Sequence, residues 1–186
     1  MGLVSLWTQQ FLEKNKLSFY FKEQAGNSND WAKETAFKGL SSPTIFLVNR
    51  QSQGRGYGNK KWENSDLMIS FLWEKNFSDI HLKASEDFAL DLKQALKSTW
   101  PQLDFKVKAP NDLYLEGDKL AGLLLEVLKQ GSKTALIVGL GLNVFSAPKN
   151  LKAVCLSQKT QDIHLKTWQS FLRDLTFYWS QRVKNM

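Results

Sequence analysis

Apolar runs of strand length that come in groups, rather than in strict alternation with helices, constrain the fold of this chain more than any other feature. Residues 44–49 and 67–73 are apolar and β-branched or aromatic, as buried strands require. Residues 113–115 and 120–127 flank Glu116-Gly117-Asp118, a hairpin signal in which glycine can take a positive φ. Residues 134–144 form another apolar run, residues 105–108 a shorter one, and residues 17–23 alternate enough to add a strand. Helical spacing links Val4, Trp7 and Phe11 over residues 4–14, and Trp168, Leu172, Leu175 and Trp179 over residues 165–183. A third helix follows Ser85 through Phe88, Leu92, Ala95 and Leu96 and is ended by Pro101. Asn27 or Ser28 can cap a helix over residues 30–38, with Asp30 in its first turn. This grouping predicts an α+β domain with a mixed, largely antiparallel sheet packed with helices.

A chain of 186 residues fits one domain, and twelve Phe and seven Trp supply a real core. The longest apolar runs fall well short of the roughly 20 residues of a membrane span. No signal peptide is visible at the N-terminus. Cys155 is the one cysteine, which excludes an internal disulfide framework and suits a reducing cytoplasm. The net charge of +7 is spread along the chain among 18 acidic residues and accompanies no recognised nucleic-acid motif. A basic surface of this kind also suits anionic small ligands or an acidic protein partner.

Several motifs fail on inspection. Gly131-Ser132-Lys133-Thr134 lacks the upstream glycine and Gly-Lys dipeptide of a P-loop and reads as a hairpin turn. Gly139-Leu140-Gly141 lacks the third glycine of a dinucleotide fingerprint. His81 and His164 are the two histidines, so no metal site built by protein alone is expected. No Gly-x-Ser-x-Gly elbow supports a hydrolase.

Two stretches carry chemistry. Gln51-Ser52-Gln53-Gly54-Arg55-Gly56-Tyr57-Gly58-Asn59-Lys60-Lys61-Trp62 joins two apolar strands. Its glycines allow backbone N–H groups to approach an anion, its cations add charge, and Trp62 offers a flat face to a base. On physics alone it is either a phosphate-binding loop or a solvated basic hairpin. The second stretch runs from Lys108-Ala109-Pro110-Asn111-Asp112 through Lys119-Leu120-Ala121-Gly122 to Glu126. Lys119 opens an otherwise apolar strand, so its amine can point into a cleft. Gly122 in a strand interior is costly unless a ligand or another backbone needs the space. Asn143 closes the next apolar strand after Gly139-Leu140-Gly141-Leu142.

Taken together, the Gly-Arg-Gly loop ending in Trp62, the Lys-x-Pro-Asn-Asp-Leu-Tyr stretch, the Lys-Leu-Ala-Gly-x-Leu-x-Glu strand and the Gly-x-Gly-x-Asn segment resemble the catalytic domain of biotin protein ligases. They occur in the family's order between about Phe19 and Asn143. The resemblance implies a fold of the kind shared by class II aminoacyl-tRNA synthetases and biotin ligases. It implies an ATP-dependent ligase that makes biotinyl-5'-AMP and passes the biotin to a lysine of a biotin carboxyl carrier protein.

The same resemblance carries roles to individual residues. Lys119, Arg55 and Asp112 are the implied catalytic residues, with Lys119 bridging the biotin carboxylate and the α-phosphate. Biotin is implied to meet Ser28, Asn29, Gln51, Gly54, Arg55, Lys119, Gly122 and Gly141. ATP is implied to meet Arg55, Lys61, Trp62, Asn111, Asp112 and Asn143, with Mg²⁺ held mainly by the ATP phosphates. No DNA or membrane partner is expected, and a homodimer is left open because family members often dimerise through the sheet. The chain is expected to be a single catalytic domain over 1–186, without the DNA-binding or SH3-like C-terminal domain that other members carry. The loop is expected to be mobile when empty.

Departures from the family pattern are Asn27-Ser28-Asn29 where Ser-Thr-Asn is common, Tyr57 for the second loop arginine, the shifted Gly58, and Ala109 where tryptophan is usual. The alternatives are a lipoate or octanoate ligase on the same fold and a non-catalytic biotin or adenylate binder.

Overall fold

The structure is a computed structural model; it describes residues 1–186 except Tyr57, Asn59, Lys60, Ser78, Asp79, Leu82 and Asn150. The helices are α1 (Leu3–Lys14), α2 (Ser28–Thr35), α3 (Ala84–Thr99) and α4 (Leu165–Lys184). The strands are β1 (Ser18–Ala25), β2 (Thr44–Gln51), β3 (Leu67–Lys75), β4 (Phe105–Lys108), β5 (Asp112–Leu115), β6 (Asp118–Gln130) and β7 (Lys133–Leu142). Among the described residues the strands form one sheet in the order β1-β2-β3-β7-β6-β5-β4. Only the β1–β2 pair is parallel, so the sheet is mixed and largely antiparallel, as expected.

Strand periodicity sorts residues between two unlike faces. On one face Ile45, Leu47, Ile69, Phe71, Val138, Leu140 and Leu123 join a large core with the apolar sides of α1, α3 and α4. Trp168, Trp179 and Trp100 are buried there, and each indole N–H finds an acceptor, on Thr8 Oγ1 (3.0 Å), Phe88 O (3.2 Å) and Asp162 O (2.7 Å). Those bonds remove the penalty of burying a polar atom in an aromatic core. On the other face Phe46, Leu72, Ala135 and Ile137 pack under α2. The same parity puts Ser70, Gly139, Gly141, Gly122, Leu124 and Glu126 on that second face, which is where the cleft lies.

Two helices have bounds that differ from the sequence reading. Asn27 is the N-cap of α2, its side chain accepting from Asp30 N–H (2.9 Å), so the helix starts at Ser28. It stops at Thr35, and Phe37 takes φ +66° and donates its N–H to Glu74 Oε1 (2.8 Å). The helix expected to follow Ser85, α3, already begins at Ala84. Lys83 precedes the helix without a side-chain cap, because buried Ala84 already belongs to the first turn. The turn between β5 and β6 has φ +51° at Glu116 and +93° at Gly117, the left-handed pair that a two-residue hairpin uses.

Candidate active site

A cleft of about 760 Å³ opens on the second face of the sheet, walled by the start of α2, by Gln51, Arg55, Gly56 and residues 61–63, by residues 108–112, and by Pro148 with residues 151–153. It gathers every residue singled out from sequence except Gly54: Ser28, Asn29, Gln51, Arg55, Lys61, Trp62, Asn111, Asp112, Lys119, Gly122, Gly141 and Asn143 all line it. These positions are scattered between Ser28 and Asn143 in the chain, and the sheet brings them together.

Gly54 forms the neck of the loop instead. Trp62 N–H donates to its carbonyl (3.0 Å), Arg55 and Lys61 form an isolated antiparallel bridge, and a Cβ at Gly54 would stand 2.3 Å from Trp62 O. The loop therefore closes on itself at its base as a hairpin. Tyr57, the departure from the family's second arginine, lies outside the described residues, as do Asn59 and Lys60.

At one end of the cleft Lys119 Nζ is 2.6 Å from Asp112 Oδ1, with their side chains 30% and 23% exposed. The β-bulge between Leu113 and Tyr114 shifts the register so that Asp112 faces Gly122 while Lys119 faces Tyr114. A segment beyond β7 steadies Lys119: its N–H donates to Lys152 O (3.2 Å) and its carbonyl accepts from Val154 N–H (3.0 Å). Lys119 also stands 5.1 Å from the centroid of the Trp62 ring. The arrangement is a half-open, paired cation able to exchange its carboxylate partner for a phosphate or carboxylate oxygen.

The floor of the cleft holds Trp62. A Cβ built on Gly141 would lie 2.3 Å from the indole, and one on Gly122 2.7 Å from it. These glycines therefore make room for an aromatic ring of the chain itself, and a bound ligand would have to lie against that ring or displace it. Trp62 Nε1–H donates to Ser65 Oγ (3.1 Å), which fixes the ring's direction.

At the other end Asn29 and Glu126 organise the start of α2. Asn29 Nδ2 donates to Leu124 O (3.0 Å) and Glu126 Oε2 (2.9 Å). Gly139 permits this: a Cβ there would sit 2.2 Å from Asn29 Oδ1. Gln51 Oε1 accepts from Ser28 N–H (3.0 Å), tying the first residue of α2 to the end of β2. Glu126 also pairs with Lys33 Nζ (2.6 Å) and with Arg55, whose second partner is Asp30. Burial alone would lower the Arg55 pKa, but the charge of Glu126 and the hydrogen bond from Arg55 to Asp30 outweigh it and hold it above its ordinary value. Arg55 is thus a fixed cation parked beside α2 at the rim of the cleft.

Asn143 is 2% exposed, donates Nδ2–H to Val154 O (3.2 Å), and leaves Oδ1 as a buried polar atom without a partner among the described residues. Such an atom costs free energy unless something reaches it, and Asn143 lines the cleft. Asp66, which is not among the candidates read from sequence, holds the turn after Asn143: its Oδ2 accepts from the N–H groups of Val144 (2.8 Å), Phe145 (2.9 Å) and Ser146 (2.9 Å). Nothing local marks Asp66, because its partners lie far away in sequence. Ser70, also missing from those candidates, carries one signal, a lone hydroxyl inside an apolar strand. Among the described residues no group of three His, Cys, Asp or Glu side chains could hold a metal ion.

A largely antiparallel sheet carrying this cleft, with a paired lysine at one end and an amide-rich polar pocket at the other, defines an α+β domain with a polar cleft on a sheet face. The profile of the biotin/lipoate A/B protein ligase family matches residues 8–143, and the chain belongs to that family. Biotin–protein ligase 1, chloroplastic, from Arabidopsis thaliana is 31% identical over 115 residues, 58% of this chain and 31% of that protein. The bifunctional ligase/repressor BirA of Escherichia coli is 29% identical over 110 residues, 56% of this chain and 34% of that protein. The chain thus spans about a third of the length of these curated relatives. A mutant biotin protein ligase from Aquifex aeolicus, in complex with biotin, superimposes with a TM-score of 0.67 at 27% identity, covering 88% of this chain and 70% of that one. The fold is that of biotin protein ligases.

Proposed function

We propose that the chain is a biotin protein ligase: it joins biotin and ATP into biotinyl-5'-AMP and pyrophosphate, then transfers the biotinyl group to a lysine of a biotin carboxyl carrier domain. The observation that carries this reading is the pairing, in one cleft, of the Lys119–Asp112 end with the Ser28, Asn29 and Gln51 end. An acid whose head binds at the second end can present its carboxylate to Lys119 at the first.

In the first step a carboxylate oxygen attacks the α-phosphorus, the bond to the β-phosphate bridging oxygen breaks, and pyrophosphate leaves. Lys119 offers a compact charge that can touch both the carboxylate and the α-phosphate, so the two anions approach without mutual repulsion. Lys61, Arg55, Asn111 and Asn143 line the remaining wall and are suited to the nucleotide. In the second step a lysine amine attacks the acyl carbon and AMP departs. Asp112 is suited to take the proton, since Lys119 can turn to the phosphate and free its oxygen. Mg²⁺ would neutralise phosphate charge, carried mainly by the nucleotide, with Asp112 the carboxylate suited to assist. The cations around the cleft, Lys108, Lys119 and Lys152 among them, suit an acidic carrier surface. Cys155 is a buried free thiol, in keeping with a reducing cytoplasm.

The test is incubation with biotin, ATP and Mg²⁺, following pyrophosphate release and labelling of a carrier domain, in parallel with lipoate and octanoate. Biotin should be used first and in preference. Pyrophosphate release with lipoate or octanoate in preference to biotin would transfer the reading to those acids. No release with any acid, alongside retained biotin binding, would leave only a binder.

A further inference from the structure

Ser70 sits at the middle of β3 on the cleft face of the sheet, fully buried and paired across the strands with Gly139. Its Oγ is 2.6 Å from Asn29 Oδ1 and 2.7 Å from Ser28 Oγ. One hydroxyl proton cannot serve both contacts, so the direction of each bond has to be worked out from the neighbours. The Asn29 amide is fixed, because its nitrogen donates to Leu124 O and Glu126 Oε2, and Glu126 is ion-paired with Lys33 and Arg55. Asn29 Oδ1 therefore faces Ser70 and can only accept. The Ser70 proton is committed to Asn29, and the 2.7 Å contact then requires Ser28 to donate to Ser70. With its proton turned inwards, the Ser28 hydroxyl has only lone pairs left for the cleft.

Gln51 is polarised in the opposite sense. Its Oε1 is committed to the Ser28 N–H, which leaves the Nε2 hydrogens for the cleft. The head end of the site therefore combines an obligate acceptor, Ser28 Oγ, with a donor, Gln51 Nε2. A ligand matches it by carrying an N–H beside a carbonyl, as a cyclic urea does; a dithiolane or an alkyl tail carries neither.

We propose that Ser70 is a positioning residue that sets the proton direction of Ser28 and so makes the site demand an N–H donor from its ligand. This rests on the biotin reading above. The deciding comparison is between biotin and its two cyclic carbamate analogues, in which one or the other ureido N–H is replaced by oxygen. Opposing a ring oxygen to the Ser28 lone pairs should weaken wild-type binding of one analogue by about a hundredfold or more, since a site built for an N–H rejects the isostere lacking it. Ser70→Ala frees the Ser28 proton to donate. It should weaken biotin binding by roughly tenfold and collapse the difference between biotin and that analogue, a change that loss of packing alone would not produce.

Unchanged discrimination in a folded Ser70→Ala protein overturns the proposal, as does a wild type that binds biotin and both analogues equally; either leaves the biotin reading standing. A wild type that does not bind biotin overturns both. Should Ser70→Ala fail to fold, Ser28→Ala removes the acceptor itself and should also erase the discrimination; its survival in that variant would overturn the proposal.

Discussion

The ammonium of Lys119 lies 2.6 Å from Asp112 Oδ1 and faces the ring of Trp62 at 5.1 Å, so this cation is both ion-paired and held over an aromatic face. Both members of the pair are partly exposed, and pairs of this kind contribute only about 0–1 kcal/mol to stability. Lys119→Ala should therefore unfold at nearly the wild-type temperature while adenylate formation falls by at least roughly a hundredfold, the scale on which a preorganised charge acts on a transition state. Thermal melting and pyrophosphate release check the two halves; near-normal turnover would remove Lys119 from the reaction.

Gly139 and Gly141 lie two residues apart and should fail differently. Gly141→Ala drives a methyl group into the Trp62 indole, which can move only by leaving the floor of the cleft. Gly139→Ala drives one into the Asn29 amide and breaks the bonds to Leu124 and Glu126. We expect Gly139→Ala and Asn29→Ala to lose biotin affinity to a similar extent, and Gly141→Ala to change the tryptophan fluorescence of the empty protein. Titration calorimetry and emission spectra separate the two outcomes.

Arg55 is held at the rim by Asp30 and Glu126, and its side chain is 41% exposed. Arg55→Ala should leave stability within about 1 kcal/mol of wild type. If Arg55 turns from these carboxylates to the adenylate, its removal should raise the KM for ATP by about tenfold or more, the worth of a lost bond to a charged group. A KM unchanged from wild type would confine Arg55 to bracing α2.

Asp66 accepts three consecutive backbone N–H groups and so holds the turn that carries Asn143. Asp66→Ala leaves those donors without their acceptor, at a cost of about 1–3 kcal/mol, which corresponds to a melting temperature lower by roughly 3–10 °C in a chain of this size. Asp66→Asn, which keeps one acceptor oxygen, should fall between. Melting curves of the two variants, with nucleotide affinity alongside, test whether the turn also positions Asn143.

The sequence by itself determined the elements. Period-2 runs, the Glu116-Gly117 turn and the spacing of Trp168, Leu172, Leu175 and Trp179 are local signals, because each depends on neighbours within one strand or one turn of helix. The motifs likewise marked Lys119, Asp112 and Asn143, since a lysine or asparagine in an apolar strand stands out without a structure. Tertiary structure decided what those residues touch. The register of β3, β7 and β6 brings Ser70, Gly139 and Leu124 into line beneath Asn29. The hairpin at Gly54 folds Trp62 over Gly122 and Gly141, and Asp66 finds its partners some eighty positions away. Contacts made across a sheet depend on strand order and register, which no local window encodes, so residues that line the cleft were visible in the sequence while their hydrogen-bond partners and the ring on its floor were not.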